Sequence, residues 1–392
     1  MSQANRISNL QRKLKDNRFP QSEGCGSLFL AQNFARNKLD GFIVTNPTNI
    51  LYLTGFKGAL PQERESILVF NPGVYPSKPS LTRQSGATLI TTRLYQNEAR
   101  HVKSKNLKIK IVDERNQILE SLKTLLAKAK RVGFEEESLT FSEYQEFEKY
   151  LKVLIPTKNF VEDFRLIKTE DEIKKIENGQ IISQKAFEIL VKTIKVGERE
   201  AEIAEKLEKI IKSLGADNLA FESIVASGKN SGLPHHITGK QKIKKGQVLL
   251  LDFGAKYKDY CADLTRTIFI GRAKDSQRNI YHHVLSTQRT TLGKIAHGQK
   301  ASDIYHAANN VFKKQKLEEF FLHGLGHGIG LESHERPYLR PTIDEPLLEN
   351  MIFSIEPGLY FPWGGIRIED LVVVKDGHAK TLGKLSGEII EI

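Results

Sequence analysis

The stretch that decides the fold of the C-terminal half is Val248-Leu-Leu-Leu-Asp-Phe-Gly, together with Cys261-Ala-Asp-Leu-Thr-Arg-Thr further along the chain. Three consecutive leucines are typical of a buried strand, so we predict a strand over residues 247–252 and a return strand over 262–270. Tyr257-Lys-Asp-Tyr lies between them and predicts a turn. The sequence therefore predicts an antiparallel hairpin.

Each strand of this hairpin is associated with one aspartate, Asp252 or Asp263. Both are equally far from a turn centred between Tyr257 and Lys258, so an antiparallel pairing places them opposite each other with Cβ atoms about 5 Å apart. Two carboxylates at that distance repel each other unless cations lie between them. Alternatively, Asp263 starts a strand and Asp252 caps a turn. However, Asp252 follows three leucines, and a lone buried carboxylate is costly.

A second predicted hairpin repeats this arrangement with two glutamates. Glu356 lies in Phe353-Ser-Ile-Glu-Pro-Gly and Glu369 in Gly365-Ile-Arg-Ile-Glu-Asp, and both are equally far from a turn at Phe361-Pro-Trp-Gly-Gly. One surface acid and one turn acid would be the alternative for this pair taken alone. Because the two hairpins place their acids in the same way, the two pairs together predict a site where four carboxylates hold divalent cations.

Between the two pairs lies a glycine-rich histidine segment, His323-Gly-Leu-Gly-His-Gly-Ile-Gly. Glycines allow the backbone to approach a ligand closely. The segment lacks the lysine and the strand–turn–helix context of a phosphate loop, and this many glycines argue against a helix. One histidine is expected to bind metal and the other to form a supporting hydrogen bond. Four acids and one imidazole indicate a site for two hard divalent cations, and therefore a hydrolase.

The remaining sequence predicts two regions of different character. Short apolar runs alternate with helical or turn-rich segments and predict an α/β layer; they are Phe42-Ile-Val-Thr, Ile67-Leu-Val-Phe, Thr88-Leu-Ile-Thr, Ile109-Lys-Ile-Val and Arg131-Val-Gly-Phe. A helix over residues 7–15 and a loop over 75–86 are also predicted. After a boundary near residue 163, Thr169 and Glu172 predict a capping box that begins a helix. Helices and antiparallel strands then indicate an α+β domain.

Composition limits the class of protein. The 392 residues suit two domains, and no apolar run is long enough for a membrane span. Two cysteines, Cys25 and Cys261, and the lack of a secretory signal favour a cytoplasmic protein. A net charge of +12 would suit nucleic acid, but the lysines are dispersed among glutamates. We therefore expect no nucleic-acid partner and no membrane partner.

These motifs resemble the pita-bread metallopeptidases, which include methionine aminopeptidase, aminopeptidase P and prolidase. The resemblance covers the C-terminal half and extends to Val225-Ala-Ser-Gly-Lys-Asn-Ser-Gly-Leu-Pro-His-His and Leu331-Glu-Ser-His-Glu-Arg-Pro. Asn49-Ile-Leu-Tyr-Leu-Thr-Gly-Phe resembles the creatinase-like N-terminal domain of the proline-specific branch. The resemblance implies an α/β creatinase-like domain over residues 1–163 and an α+β pita-bread catalytic domain over 164–392.

The resemblance also implies roles for individual residues. Five of them would bind two metal ions: Asp252, Asp263, His327, Glu356 and Glu369. Asp263 and Glu369 would bridge the ions, and His327 is preferred to His323 as the ligand. The catalytic and substrate-side residues would be His235, His334 and Glu356. The neighbouring His236 cannot be separated from His235 without the resemblance. The supporting and pocket residues would be His323, Arg367, Tyr257 and Phe221.

The implied chemistry is hydrolysis of an Xaa-Pro bond. Oxygen ligands with one imidazole suit Mn²⁺, and Co²⁺, Fe²⁺ or Zn²⁺ would also fit. A hydroxide shared by the two ions would attack the scissile carbonyl, while Glu356 moves the proton to the proline nitrogen and His334 stabilises the oxyanion. The substrate would be a proline-containing peptide, and members of the family usually form homodimers.

Three alternatives remain open at this point. The motifs do not separate an Xaa-Pro dipeptidase from an aminopeptidase P, although Arg336 or Arg340 could bind the carboxylate of a dipeptide. A metal-free or non-catalytic interaction protein is the second alternative, but all five ligand positions are present. A creatinase-like C–N hydrolase is the third, and it would not need those ligands.

Overall fold

The computed structural model describes residue 6 and residues 39–60, 63–70, 86–103 and 107–392. The helix predicted over residues 7–15 and nearly all of the loop predicted over 75–86 lie outside these ranges. Contacts divide the chain into two units, Met1–Arg165 and Leu166–Ile392. The sequence prediction placed the division two residues earlier. Among the described residues, no helix combines the length and the apolar character that crossing a bilayer requires.

The N-terminal unit contains a six-stranded mixed sheet in the order β4-β3-β2-β1-β5-β6. Its strands are β1 (Gly41–Val44), β2 (Ser66–Phe70), β3 (Ala87–Thr92), β4 (Leu107–Val112), β5 (Val132–Glu135) and β6 (Leu154–Thr157). Its helices are α1 (Pro47–Thr54), α2 (Gln96–Arg100), α3 (Asn116–Leu125), α4 (Phe141–Glu148) and α5 (Glu162–Leu166), the last of which runs into the next unit. The predicted α/β layer is confirmed.

All five strands predicted in this unit are present, and of the strands in its described ranges only the edge strand β6 was not predicted. Its Pro156 cannot donate a ladder hydrogen bond, and proline is tolerated in sheets mainly at edges. Helix α1 begins two residues before the quoted Asn49 motif, and the side chain of Asn46 caps it by accepting hydrogen bonds from the backbone of Thr48 and Asn49. It ends at Gly55, whose φ of 79° is accessible to glycine without strain.

The C-terminal unit packs helices against several small antiparallel sheets, as the sequence predicted. The helices are α6 (Glu170–Val191), α7 (Glu200–Ser213), α8 (Asp275–Leu292) and α9 (Ala301–Lys314). The first group of strands is β7 (Asn218–Leu219), β8 (Ile224–Ser227), β9 (Val248–Phe253), β10 (Ala255–Tyr257), β11 (Tyr260–Cys261) and β12 (Leu264–Phe269). The second group is β13 (Gly326–Gly328), β14 (Glu335–Leu339), β15 (Ile352–Ile355), β16 (Gly358–Phe361), β17 (Gly364–Arg367), β18 (Asp370–Lys375) and β19 (His378–Thr381).

Helix α6 begins with the predicted capping box. The Thr169 hydroxyl accepts from the backbone N–H of Glu172, and the Glu172 carboxylate accepts from the backbone N–H of Thr169 at 2.8 Å. Gly179 lies inside this helix because a Cβ there would be 3.2 Å from Cβ of Ala262 and 3.3 Å from the carbonyl oxygen of Ala255. The glycine weakens the helix by about 1 kcal/mol relative to alanine, but it lets the helix lie directly against the first hairpin.

Two apolar clusters hold the C-terminal unit together. In one, residues of α6 and α7 pack on β8, β9 and β12, and its fully buried members include Phe187, Leu207, Leu249 and Leu264. In the other, residues of α8 and α9 pack on strands of the second group, and its fully buried members include Phe312, Phe353 and Val372. The strands that carry the predicted site residues are therefore held in place by the apolar side chains packed between them and the helices.

Candidate metal centre

The first acidic pair is placed by a hairpin whose register differs from the prediction. Strands β9 and β12 pair with Asp252 directly opposite Thr265, and Asp263 lies just before β12. The turn consists of Lys258 and Asp259, whose φ angles of 48° and 71° are left-handed. Its centre is one residue later than predicted, which moves every cross-strand partner by two residues. The prediction that Asp252 and Asp263 face each other was therefore wrong, and Asp263 is instead a diagonal neighbour of Asp252.

The second acidic pair has the predicted symmetry. Ile355 pairs with Asp370 in the β15–β18 ladder, and Gly358 pairs with Arg367 in the β16–β17 ladder. Glu356 and Glu369 lie between these two pairs, so both are equally far from the turn that joins β16 to β17. The prediction of equal spacing is confirmed, and the short gap between the two ladders leaves both glutamates free to turn towards the first pair.

The predicted ligand residues meet in one cavity of about 410 Å³. Ligand atoms of Asp263, His327 and Glu369 lie within 4.8 Å of one another. The Nε2 atom of His327 is 3.3 Å from Oε1 of Glu356 and 3.7 Å from Oδ2 of Asp263. The cavity is lined by Phe221, Ile224, Pro234, His235, Asp252, Asp263, His323, Gly324, Gly326, His327, His334, Tyr338, Arg340, Glu356, Arg367 and Glu369.

The electrostatics of the acidic cluster are unfavourable without a counter-charge. Burial, followed by repulsion from neighbouring carboxylates, raises the pKa of Asp263 and of Glu369 well above their ordinary values. Burial also raises the pKa of Glu356. One oxygen of each of three acids is buried and has no hydrogen-bond partner among the residues that the structure describes: Asp252 Oδ1, Asp263 Oδ1 and Glu369 Oε1. Oxygens that neither solvent nor protein satisfies are the expected state of a cation-binding set, so the residues present fit divalent metal ions.

His327 is prepared to act as a neutral ligand. Burial lowers its pKa, which keeps the imidazole uncharged. Nδ1 lies 3.1 Å from the carbonyl oxygen of Gly328 and donates to it, so the lone pair of Nε2 faces the acids. The backbone N–H of His327 donates to Ser354 Oγ at 3.0 Å, and that hydroxyl donates to Glu356 at 3.1 Å. Ser354, which was not predicted, thus connects two of the predicted ligand residues.

Arg367 connects the two hairpins. Its guanidinium donates to Asp252 Oδ2 at 2.6 Å, to the Tyr360 hydroxyl at 2.8 Å and to Thr265 Oγ1 at 3.2 Å. The Thr265 hydroxyl in turn donates to Glu369 Oε2 at 2.7 Å. The guanidinium of Arg367 therefore orients Asp252 directly and Glu369 through Thr265. The other carboxylate oxygen of each acid remains available to a metal ion.

Tyr360 and His323 form the far side of this network. The Tyr360 hydroxyl is 2.7 Å from Nε2 of His323, whose Nδ1 donates to the Gly324 carbonyl at 2.6 Å. Burial raises the pKa of Tyr360 to about 12 and lowers that of His323, so both groups are neutral. Tyr360 and Thr265 were not predicted from the sequence. The only available signal was their spacing, four residues after Glu356 and two after Asp263.

The remaining predicted residues divide between the cavity wall and its surroundings. The ring of His334 lies 3.9 Å from that of His327, and partial burial together with His327 lowers the pKa of His334 to about 4. His235 and Phe221 line the wall. Tyr257 does not line the cavity, so its prediction as a pocket residue is corrected. It precedes the Lys258–Asp259 turn in β10 and packs against the apolar cluster of α6 and α7.

Comparison with known proteins gives a consistent result over both units. The profile of metallopeptidase family M24 matches residues 174–376, and that of the creatinase/prolidase N-terminal domain matches residues 30–167. An Xaa-Pro dipeptidase of Pyrococcus furiosus is 34% identical over 358 residues, which are 90% of this chain and 96% of the relative.

Solved structures resemble this chain over almost its full length. The Xaa-Pro dipeptidase from Bacillus anthracis has a TM-score of 0.85 at 29% identity, with 98% of this chain and 100% of the other covered. The X-Pro aminopeptidase from Thermotoga maritima has a TM-score of 0.79 at 31% identity, with 92% and 100% covered. The pita-bread architecture and the creatinase-like N-terminal unit expected from the sequence are thereby confirmed.

Proposed function

This chain belongs to metallopeptidase family M24, and from that premise we propose that it is an Xaa-Pro dipeptidase that works with two divalent ions. Its homologues make it a metal-dependent peptidase of Xaa-Pro bonds. The observation that carries the proposal is the set of partnerless buried oxygens on Asp252, Asp263 and Glu369 beside a neutral His327. A protein that bound no cation would bear the cost of burying this set with nothing to offset it.

The proposed ligands are Asp252, Asp263, His327, Glu356 and Glu369. Carboxylate oxygens with one imidazole nitrogen are the donor set of a hard to borderline ion, and we propose Mn²⁺ ahead of Co²⁺, Fe²⁺ and Zn²⁺. When bound, the ions supply Lewis acidity to the scissile carbonyl and make a water molecule acidic enough to become a nucleophile at neutral pH.

The chain's own residues would then transfer protons and orient the peptide. Glu356 would take up a proton from the attacking water and release it to the leaving proline nitrogen. His334, which is neutral because its pKa is lowered, can donate an N–H to the oxygen on which charge develops. His235, exposed on the cavity wall, would contact the peptide. Because a bond to proline has no N–H, selection for it depends on the shape of the cavity.

The preference for dipeptides is proposed to depend on Arg340. This side chain lines the cavity and is exposed, and within the described ranges it has no carboxylate partner. Its guanidinium carbon lies 5.2 Å from the centre of the Tyr338 ring, which restricts its direction. Arg336 is instead bonded to Glu345, so of the two candidates Arg340 is the one available to a substrate carboxylate.

Substrate length is the test of this proposal. With Mn²⁺ added, Ala-Pro is expected to be cleaved with a much higher kcat/KM than Ala-Pro-Ala-Ala. Arg340→Ala should raise KM for Ala-Pro about tenfold, because a hydrogen bond to a charged group contributes about 1.5 kcal/mol. Arg340→Lys, which retains the charge, serves as the matched control and should recover part of the loss. Equal cleavage of both peptides, unchanged by Arg340→Ala, would instead identify an aminopeptidase.

We also propose that the protein forms a homodimer and works in the cytoplasm. The support is the resemblance to a family that usually dimerises and the cysteine content of the chain. Light scattering of the purified protein should give a mass twice the 44.4 kDa of one chain. A mass of one chain at micromolar concentration would contradict the dimer.

A further inference from the structure

The adjacent histidines His235 and His236 lie on a loop in which successive residues face alternate sides. Leu233, His235 and Ile237 are exposed, whereas His236 is turned inwards with its side chain only 12% exposed. His235 lines the cavity. Within the described part of the chain its ring makes no hydrogen bond, so its position depends on how the loop backbone is held.

The inward histidine meets a buried carboxylate. Nε2 of His236 is 2.9 Å from Oε2 of Glu200, the first residue of α7, which is completely buried. The same oxygen accepts from the backbone N–H of Gly239 at 3.4 Å. Glu200 therefore binds the loop at two positions, both C-terminal to His235.

The other oxygen of Glu200 holds the strand on which the loop is built. Oε1 accepts from the backbone N–H of Ser227 at 2.7 Å, from its hydroxyl at 2.8 Å and from the side-chain amide of Asn230 at 2.9 Å. All five donors come from the segment between the end of β8 and the loop. One carboxylate thus fastens the loop to β8.

On its N-terminal side the loop is attached to the metal centre. Nη1 of Arg367 lies 3.4 Å from the carbonyl oxygen of Pro234 and donates to it. His235 is therefore held between two buried charges, with Arg367 acting on the residue before it and Glu200 on the residue after it. The backbone is fixed on both sides of His235, whereas its ring makes no hydrogen bond within the described part of the chain. This arrangement presents the imidazole to a ligand at a defined position.

We propose that Glu200 and His236 are positioning residues that fix His235 on the cavity wall for contact with the peptide. The proposal rests on the proposed function, in which His235 contacts substrate. It also gives the two histidines distinct tasks. His236 anchors the loop, and His235 meets the ligand.

A double-mutant cycle on the full-length, metal-loaded enzyme tests the proposal with Ala-Pro as substrate. His235→Ala is expected to raise KM, and His236→Ala should raise it about tenfold by releasing His235. In the His235→Ala background, His236→Ala should change KM by less than about twofold, because no ring remains to be positioned. Metal content, measured in parallel, should be unchanged in all three variants.

Glu200→Gln provides a second test, in which both histidine rings are retained. Its amide oxygen can still accept from Ser227 and Asn230, but the amide nitrogen that replaces Oε2 cannot accept from Gly239. It should therefore raise KM with little change in kcat. An equal loss from His236→Ala in both backgrounds, or no loss in either, would overturn the positioning role. No effect of His235→Ala itself would mean that the proposed peptide contact is absent, which is a separate failure.

Discussion

Asp263→Ala is expected to abolish hydrolysis of Ala-Pro and to reduce the bound metal below one ion per chain. Asp263 lies with His327 and Glu369 in a cluster whose ligand atoms are within 4.8 Å of one another. Loss of a partner that merely orients a ligand already costs 10- to 100-fold in activity or affinity, so loss of a residue proposed to hold the metal itself should cost more than about 100-fold. Steady-state kinetics with Mn²⁺ and metal analysis by mass spectrometry provide the two measurements.

Two variants separate loss of metal from general damage. His334→Ala should lower kcat while leaving metal content near normal, since His334 lies beside His327 in the cavity and is proposed to act on the substrate rather than to hold metal. Tyr257→Phe should leave both activity and metal content unchanged, because Tyr257 does not line the cavity and its half-buried side chain packs against an apolar cluster of the same unit. Full activity of Asp263→Ala with two bound ions would refute the ligand set.

The first hairpin shows where reasoning from sequence spacing fails. Counting inwards from Asp252 and Asp263 gave the correct strands and the correct cavity, but a turn centre that was one residue too early. The true turn, Lys258–Asp259, is left-handed at both positions without a glycine or asparagine to indicate it. The count succeeded at Glu356 and Glu369, where the Pro-Trp-Gly-Gly sequence marks the turn.

The network around the ligands was less predictable than the ligands. Carboxylate pairs stand out because burying them has a cost that only a cation removes. Thr265, Ser354 and Tyr360 are ordinary strand residues whose importance comes from the cross-strand partners they meet. Tyr257 was expected in the pocket from the family resemblance, but its side chain packs against the apolar cluster of α6 and α7. Residues of this kind can be predicted only when the pairing register of the strands is known, and the position of the turn determines that register.

Removal of metal is expected to destabilise the C-terminal unit, and increasingly so as the pH rises. Folding raises the pKa of Asp263, Glu356 and Glu369. In the metal-free protein, the folded state therefore binds protons more tightly than the unfolded state. Such groups favour the folded state below their unfolded pKa of about 4, and this contribution is lost as the pH rises through their folded pKa values.

Thermal unfolding of chelated and Mn²⁺-saturated protein between pH 5 and pH 8 measures this effect. Each ion at 100 times its dissociation constant stabilises by about 2.7 kcal/mol, or roughly 5–10 °C for a domain of this size. The gap between the two forms should be smallest at pH 5 and widest at pH 8. Asp263→Asn supplies the internal control, because it removes one charge at nearly constant volume. Its metal-free form should melt higher than metal-free wild type at pH 8, although it is inactive. If Asp263→Asn melted lower, the carboxylates would not be repelling one another, and the electrostatic argument for the metal centre would fail.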